Sequence, residues 1–168
     1  MTDVETGAPA RRSAARRLLN GIRRVPHLTP RELLATVHAA CIMTVVEALI
    51  RWISLPRLGR LLGVRLDFSP SDPGRRQYAI SSLDAPSRRS VRAARSVSNA
   101  WPLSRGPCLR RALVMSRLLR SHDPAIRLGI TRGTGEVHAH AWVEIDGRPL
   151  EDVTAFDTFQ RPNLESTA

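Results

Sequence analysis

Two stretches of the chain carry side chains that could do chemistry together. In RGPCLRRALVMSRLLRSHD, Cys108 follows Gly106-Pro107, which breaks the chain ahead of a run with Leu109, Ala112, Leu113, Ser116 and Leu119 at helical spacing. Proline suits a first helical position, so Cys108 falls in the first turn. A thiol there meets the positive end of the helix dipole and unpaired N–H groups, which favour the thiolate. In EVHAHAWVEIDGRPLED, Val137, Ala139, Ala141, Val143 and Ile145 alternate with His138, His140, Trp142 and Glu144, the period of a strand. Asp146-Gly147 then signals a hairpin turn. The loop length decides which acid meets which imidazole. A two-residue loop pairs Ile145 with Arg148 and sets His140 opposite Val153, with Asp152 on the other face. A three-residue loop with a bulge at Gly147 pairs Glu144 with Arg148, Trp142 with Leu150 and His140 with Asp152. The longer loop is expected, because opposite charges and two large apolar groups then meet across the strands.

On that register Cys108, His140 and Asp152 supply a nucleophile, a base and an acid that orients the base. This is the constellation for acyl transfer or peptide hydrolysis through a thioester. His138 is the rival base, two residues earlier on the same face, and Asp146 is the rival carboxylate. A turn aspartate ordinarily serves its own backbone. A zinc site from Cys108, His138 and His140 is a second reading, weakened by the small number of soft ligands. A third is an arginine-rich binding module whose triad is incidental; the intact residue types argue against it.

Helices and strands must bring these groups together. Thr29-Pro30-Arg31-Glu32 reads as a capped helix start ahead of an apolar run from Leu33 to Ile53. That run is nearly long enough to span a membrane, but it contains His38 and Glu47, ends at Arg51 and lacks aromatic anchors on both sides. A helix buried inside the protein is expected, with Cys41 and His38 in or beside its core. Leu55-Pro56 ends it, and Arg57 to Leu62 forms a short helix closed by Gly63. Val64 to Ser82 reads as linker or loop. Asp84 to about Trp101 is helical, with Val91, Ala94, Val97 and Ala100 near one face. After the Cys108 helix come a strand, Ala125 to Thr131, a turn from Arg132 to Gly135 and the hairpin. From Asp157 onward a loose C-terminus is expected.

The order of Cys at a helix start, then His and Asp on successive strands, resembles the transglutaminase/papain-like cysteine protease superfamily. "PCLRRALVMSRLLR", then "LGI", then "HAHAWVEIDGRPLEDV", is similar to the stand-alone leader peptidase (B protein) of lasso-peptide biosynthesis. The likeness spans roughly residues 28 to 156. It implies an α+β fold: N-terminal helices plus a transglutaminase-like core, in which a Cys-bearing helix packs on a small antiparallel sheet. It implies a triad of Cys108, His140 and Asp152, and a cysteine endopeptidase that cuts leader from core in a ribosomally made precursor. It also implies a separate winged-helix-like leader-recognition protein, and an ATP-dependent macrolactam cyclase that uses the product. The same triad serves transglutaminase-like acyltransferases and amidases.

The bulk properties fit one domain over residues 28–168, preceded by a basic flexible tail over 1–27. At 168 residues the chain can bury a real core. The two cysteines make no disulfide framework, and no signal peptide is evident, so a cytoplasmic, reducing setting is expected. The net charge is +11, and every basic residue besides histidine is arginine. With only 4% aromatic residues and no interleaving of aromatics with arginines, a nucleic-acid surface is not expected. Neither a cofactor nor a resident metal is expected, nor membrane contact.

Overall fold

The Thr29 side chain accepts from the Glu32 N–H at 3.3 Å, and the Glu32 carboxylate accepts from the Thr29 N–H at 3.0 Å. This capping box starts α1 (Pro30–Leu49), where the sequence places it. The computed structural model describes residues 28–69, 76–102, 107–132, 137–153 and 157–158. The basic tail over 1–27 and most of the turn after Arg132 lie outside those residues. Helix α2 (Leu55–Leu62) stops at Gly63, whose φ of 63° is left-handed and suits glycine. Helix α3 (Ala85–Ala100) is capped by Asp84, whose carboxylate accepts from the Ser87 N–H. Helix α4 (Pro107–Leu118) carries Cys108 as its second residue.

The strands form one mixed sheet. They are β1 (Arg65–Leu66), β2 (Ala125–Arg132), β3 (Val137–Ile145), β4 (Arg148–Pro149) and β5 (Asp157–Thr158). The order is β1-β2-β3-β4, with β5 also paired to β2; β1 runs parallel to β2 and the other pairs are antiparallel. The architecture is α+β, with the helices segregated from the strands.

Helix α4 is the hub. It packs against α1, α3 and β3. Leu113 and Val114 are 0% exposed and Met115 is 1% exposed. On the sheet side, Ala141, Val143, Ile145 and Leu150 join the same core. Burying each large apolar side chain contributes about 1.5–3 kcal/mol, so the seat of α4 on β3 is strongly fixed. A second tie is ionic. The buried Glu47 of α1 meets Arg110 Nε of α4 at 2.6 Å and Arg51 Nη2 at 3.0 Å.

Several expectations are corrected. Helix α1 buries one stripe only, Ala39, Met43, Val46 and Glu47, while Leu34 is 71% exposed and Val37 and Val45 also face outward. By length and apolarity alone α1 could cross a membrane, a property that core helices and signal sequences share. Cys41 is exposed rather than a core residue, and so is His38. Both cysteines are free. The stretch from Val64 to Ser82 holds strand β1 and a 3₁₀ turn, Ile80–Ser82. It is also tied to the hairpin, where the Tyr78 N–H donates to Pro149 O at 2.7 Å and Gln77 Nε2 to Leu150 O at 3.1 Å. Asp157 and Thr158 pair with Ile130 and Gly129 rather than trailing loosely. Two-residue strands such as β1 and β5 are too short to show a period, so only the pairing reveals them.

Candidate active site

The hairpin takes the shorter loop. Ile145 pairs with Arg148 and Glu144 with Pro149, and the Leu150 N–H donates to Val143 O at 2.9 Å. The longer loop, with Glu144 opposite Arg148 and His140 opposite Asp152, is overturned. The cause is local. Asp146 and Gly147 both take positive φ, 52° and 67°, the mark of a type I′ turn whose twist matches the strands. That backbone preference outweighs the charge pairing of Glu144 with Arg148. Glu144 instead turns to Arg127 on the other neighbouring strand.

Alternation along β3 now sorts the side chains. Ala141, Val143 and Ile145 face the helices, while His140, Trp142 and Glu144 share the other face. On that face the imidazole is built in from below. Its ring stacks on Trp142, with centroids 6.2 Å apart and planes at 18°. The Trp142 Nε1–H donates to Glu144 Oε1 at 3.0 Å. Glu144 Oε2 accepts from Arg127 Nε at 3.0 Å, and Arg127 Nη2 lies 3.1 Å from Asp67 Oδ2. Arg127 also donates to the Ser69 carbonyl. Ser69 bonds to Asp67, and these bonds, with Arg127 and Arg65 nearby, hold the Asp67 carboxyl below its ordinary value. Trp142, Glu144 and Arg127 are all buried. The residue opposite His140 on β2 is Gly129, which adds no side chain over the ring.

A carboxylate beside the Nε2 edge of the imidazole is that of Glu151. Its Oε2 lies 3.8 Å from His140 Nε2 and 2.8 Å from Arg111 Nη2. Arg111 stands three residues after Cys108 on α4, so the two are neighbours on the helix surface. A chain of contacts therefore runs from the helix that carries the thiol, through Arg111 and Glu151, to the imidazole. His140 is held below the ordinary histidine value chiefly by burial. Arg111 pushes the same way, and the Glu151 charge and hydrogen bond push back. At neutral pH the ring is thus an uncharged base.

The remaining candidates are placed as follows. Cys108 is half-buried in the first turn of α4 and forms no disulfide. Asp152 is exposed and directly follows Glu151. Asp146 sits in the turn. The His138 backbone pairs with Thr131, and its side chain lies outside the described ones. Among the described residues no three His, Cys, Asp or Glu side chains converge as a metal site. Glu151 was missed by sequence reasoning. The signal was the turn itself: with the short loop, Glu151 stands opposite Trp142, on the imidazole's face and diagonal to it.

Comparison with known families gives one finding. The model of the Transglutaminase-like superfamily matches residues 42–161, which run from within α1 past β5 and include Cys108, His140 and Asp152. Comparison with curated proteins and with solved structures finds no match.

Proposed function

The chain belongs to the transglutaminase-like superfamily, and from that premise we propose that it is a cysteine endopeptidase that removes the leader peptide from a ribosomally made lasso-peptide precursor. The observation that carries this reading is the seat of Cys108 in the first turn of a helix packed on the strand that bears His140. The HAWVE-DG hairpin downstream of a PCLRRA helix supports the finer assignment.

In the proposed reaction His140 takes the Cys108 proton and the sulfur attacks the scissile carbonyl carbon. Nε2 faces Glu151, so Nδ1 is the ring nitrogen assigned to the thiol. The backbone N–H of Cys108 donates to the developing oxyanion. The imidazolium then gives its proton to the departing amine, which leaves as the C–N bond breaks. Water, deprotonated by the same ring, attacks the thioester, releases the leader's carboxylate and restores the thiol. Asp152 is carried over from the family likeness as the acid of the triad; with Nδ1 given to the thiol, it would share the Nε2 edge of His140 with Glu151. A separate winged-helix-like protein would present the leader, and an ATP-dependent cyclase would use the freed core amine.

The test mixes the protein with its precursor and the recognition protein and follows cleavage by mass. Cys108→Ala should lose at least about 10³-fold in rate. Equal cleavage by the alanine variant overturns the nucleophile. Because the superfamily also supports acyl transfer, hydroxylamine or a small primary amine is added in parallel. A trapped amide in place of the free acid would assign acyltransferase activity instead.

A further inference from the structure

We propose that Glu151 is a positioning residue: its carboxylate, clamped by Arg111 on the Cys108-bearing helix, holds the Nε2 edge of His140 and so couples the helix that carries the thiol to the strand that carries the imidazole. The inference rests on the peptidase reading and deepens it. The geometry is asymmetric. Arg111 Nη2 is at 2.8 Å from Glu151 Oε2, a short charge-assisted bond, whereas His140 Nε2 is at 3.8 Å from the same oxygen. The carboxylate is therefore fixed by the arginine first, and the imidazole meets a preset acceptor. All three side chains are about a fifth exposed, 20% for Arg111, 18% for Glu151 and 19% for His140, so solvent screens them only in part.

The ring is held from two sides. Trp142 supports its face through the buried Glu144–Arg127 pair, and Glu151 governs its edge. Among the described residues, the charged groups set around it include Arg111 from α4, Glu151 after β4 with Asp152 next in the chain, and Glu144 with Arg127 beneath Trp142; Gly129, opposite on β2, has no side chain to bring one. Glu151 is the acid that favours a proton on the ring, and Arg111 tempers it. When His140 becomes imidazolium during thiol attack, the nearby oxygen stabilises the new charge. When the proton leaves with the amine, Arg111 keeps the carboxylate from following the ring. Asp152 remains the acid assigned by family likeness. Glu151 acts beside it, through the ring and the helix rather than on the substrate.

The test uses the full chain in a Cys41→Ser background, so that Cys108 is the one thiol. The variants are Glu151→Gln, Glu151→Asp, Arg111→Lys and Asp152→Asn. Two readouts need no substrate: the His140 titration followed by NMR, assigned with His140→Gln, and the pH profile of Cys108 alkylation by iodoacetamide. Glu151→Gln should move the His140 midpoint to lower pH and shift the alkylation profile. Glu151→Asp should restore part of both. With precursor and recognition protein, Glu151→Gln should lower kcat about tenfold with KM within about twofold. If Glu151→Gln leaves both the titration and the alkylation profile as in the parent, the inference is overturned, all the more if Asp152→Asn moves them. If the parent fails to cut the precursor while Glu151→Gln still shifts both profiles, the substrate assignment falls and the role of Glu151 stands.

Discussion

Arg110 and Arg111 are neighbours on α4, each meets a glutamate, and the two pairs have different consequences. Arg110 Nε lies 2.6 Å from Glu47 and Arg111 Nη2 lies 2.8 Å from Glu151. The lengths nearly match, but the surroundings do not. The Glu47 side chain is 7% exposed and its oxygens are taken by arginines, Arg110 and Arg51. It locks α1 to α4 inside the helical layer. The Glu151 side chain is 18% exposed and faces an imidazole as well as an arginine. Ion-pair geometry alone does not separate a structural tie from part of a site. What else faces the carboxylate does.

Breaking each pair in turn should separate them, and the largest effect belongs to Glu47. Glu47→Ala removes a counter-charge of Arg110 in a water-poor interface, which costs about 3 kcal/mol. Urea unfolding should show the midpoint fall. Activity per folded molecule should stay near the parent's, because Glu47 ties α1 to α4 through Arg110, whereas the hairpin tie runs through Arg111 and Glu151. A loss under about 1 kcal/mol would mean the pair is no structural tie.

Next in size is Trp142→Phe. It keeps an aromatic ring against His140 but deletes the indole N–H that Glu144 accepts at 3.0 Å. An acceptor left short of a donor in a buried place costs about 1–3 kcal/mol. Here stability and function should move together, since the same network supports the imidazole. Unfolding and cleavage measured side by side check this. Unchanged cleavage at reduced stability would confine the network to structure.

Arg111→Ala comes third. The pair is partly open to water, so its removal should cost less than about 1 kcal/mol in the same urea experiment. Cleavage should fall far more than stability does. The reverse order, large unfolding and intact cleavage, would make Arg111 a copy of Arg110 and dissolve the contrast.

The sequence showed one of these arginines as plainly as the other, and told nothing of their partners. What it did show were features with a local cause. Thr29 and Glu32 cap α1, Asp84 caps α3, Gly63 ends α2, and Pro107 starts the helix that carries Cys108. Alternation from Val137 to Ile145 marked β3 over its full length. The α+β class followed from those elements. What failed depended on non-local pairing. The apolar run at Leu33 suggested a helix buried inside the protein, yet neighbours cover one stripe. The hairpin register was judged by cross-strand side chains, whereas the Asp146-Gly147 backbone set it, and a shift of one residue moved Glu151 onto the imidazole's face. Cys108 and His140 were legible as residue types in the right elements. Glu151 needed the register first.

The smallest expected effect is on pH. Burial, helped by Arg111, keeps His140's affinity for protons below that of an unfolded imidazole, whose ordinary value is 6.5. Wherever pH lies between the folded and unfolded values, unfolding takes up a proton. This contribution to stability is therefore whole above about 6.5 and is lost as pH falls from there through the lower, folded value. Glu47 supplies a contrast in kind, since the Arg110 tie involves no histidine. His140→Gln should flatten the stability profile on the mildly acidic side, while Glu47→Ala should lower the whole profile with that slope retained. Glu151→Gln should steepen the slope, because it removes the charge that favours a proton on the folded ring. Melting temperatures collected between about pH 5 and 8 decide the matter. A slope unchanged in both His140→Gln and Glu151→Gln would show that the ring is not held in its uncharged form by its surroundings, and the two arginine pairs would then differ in exposure alone.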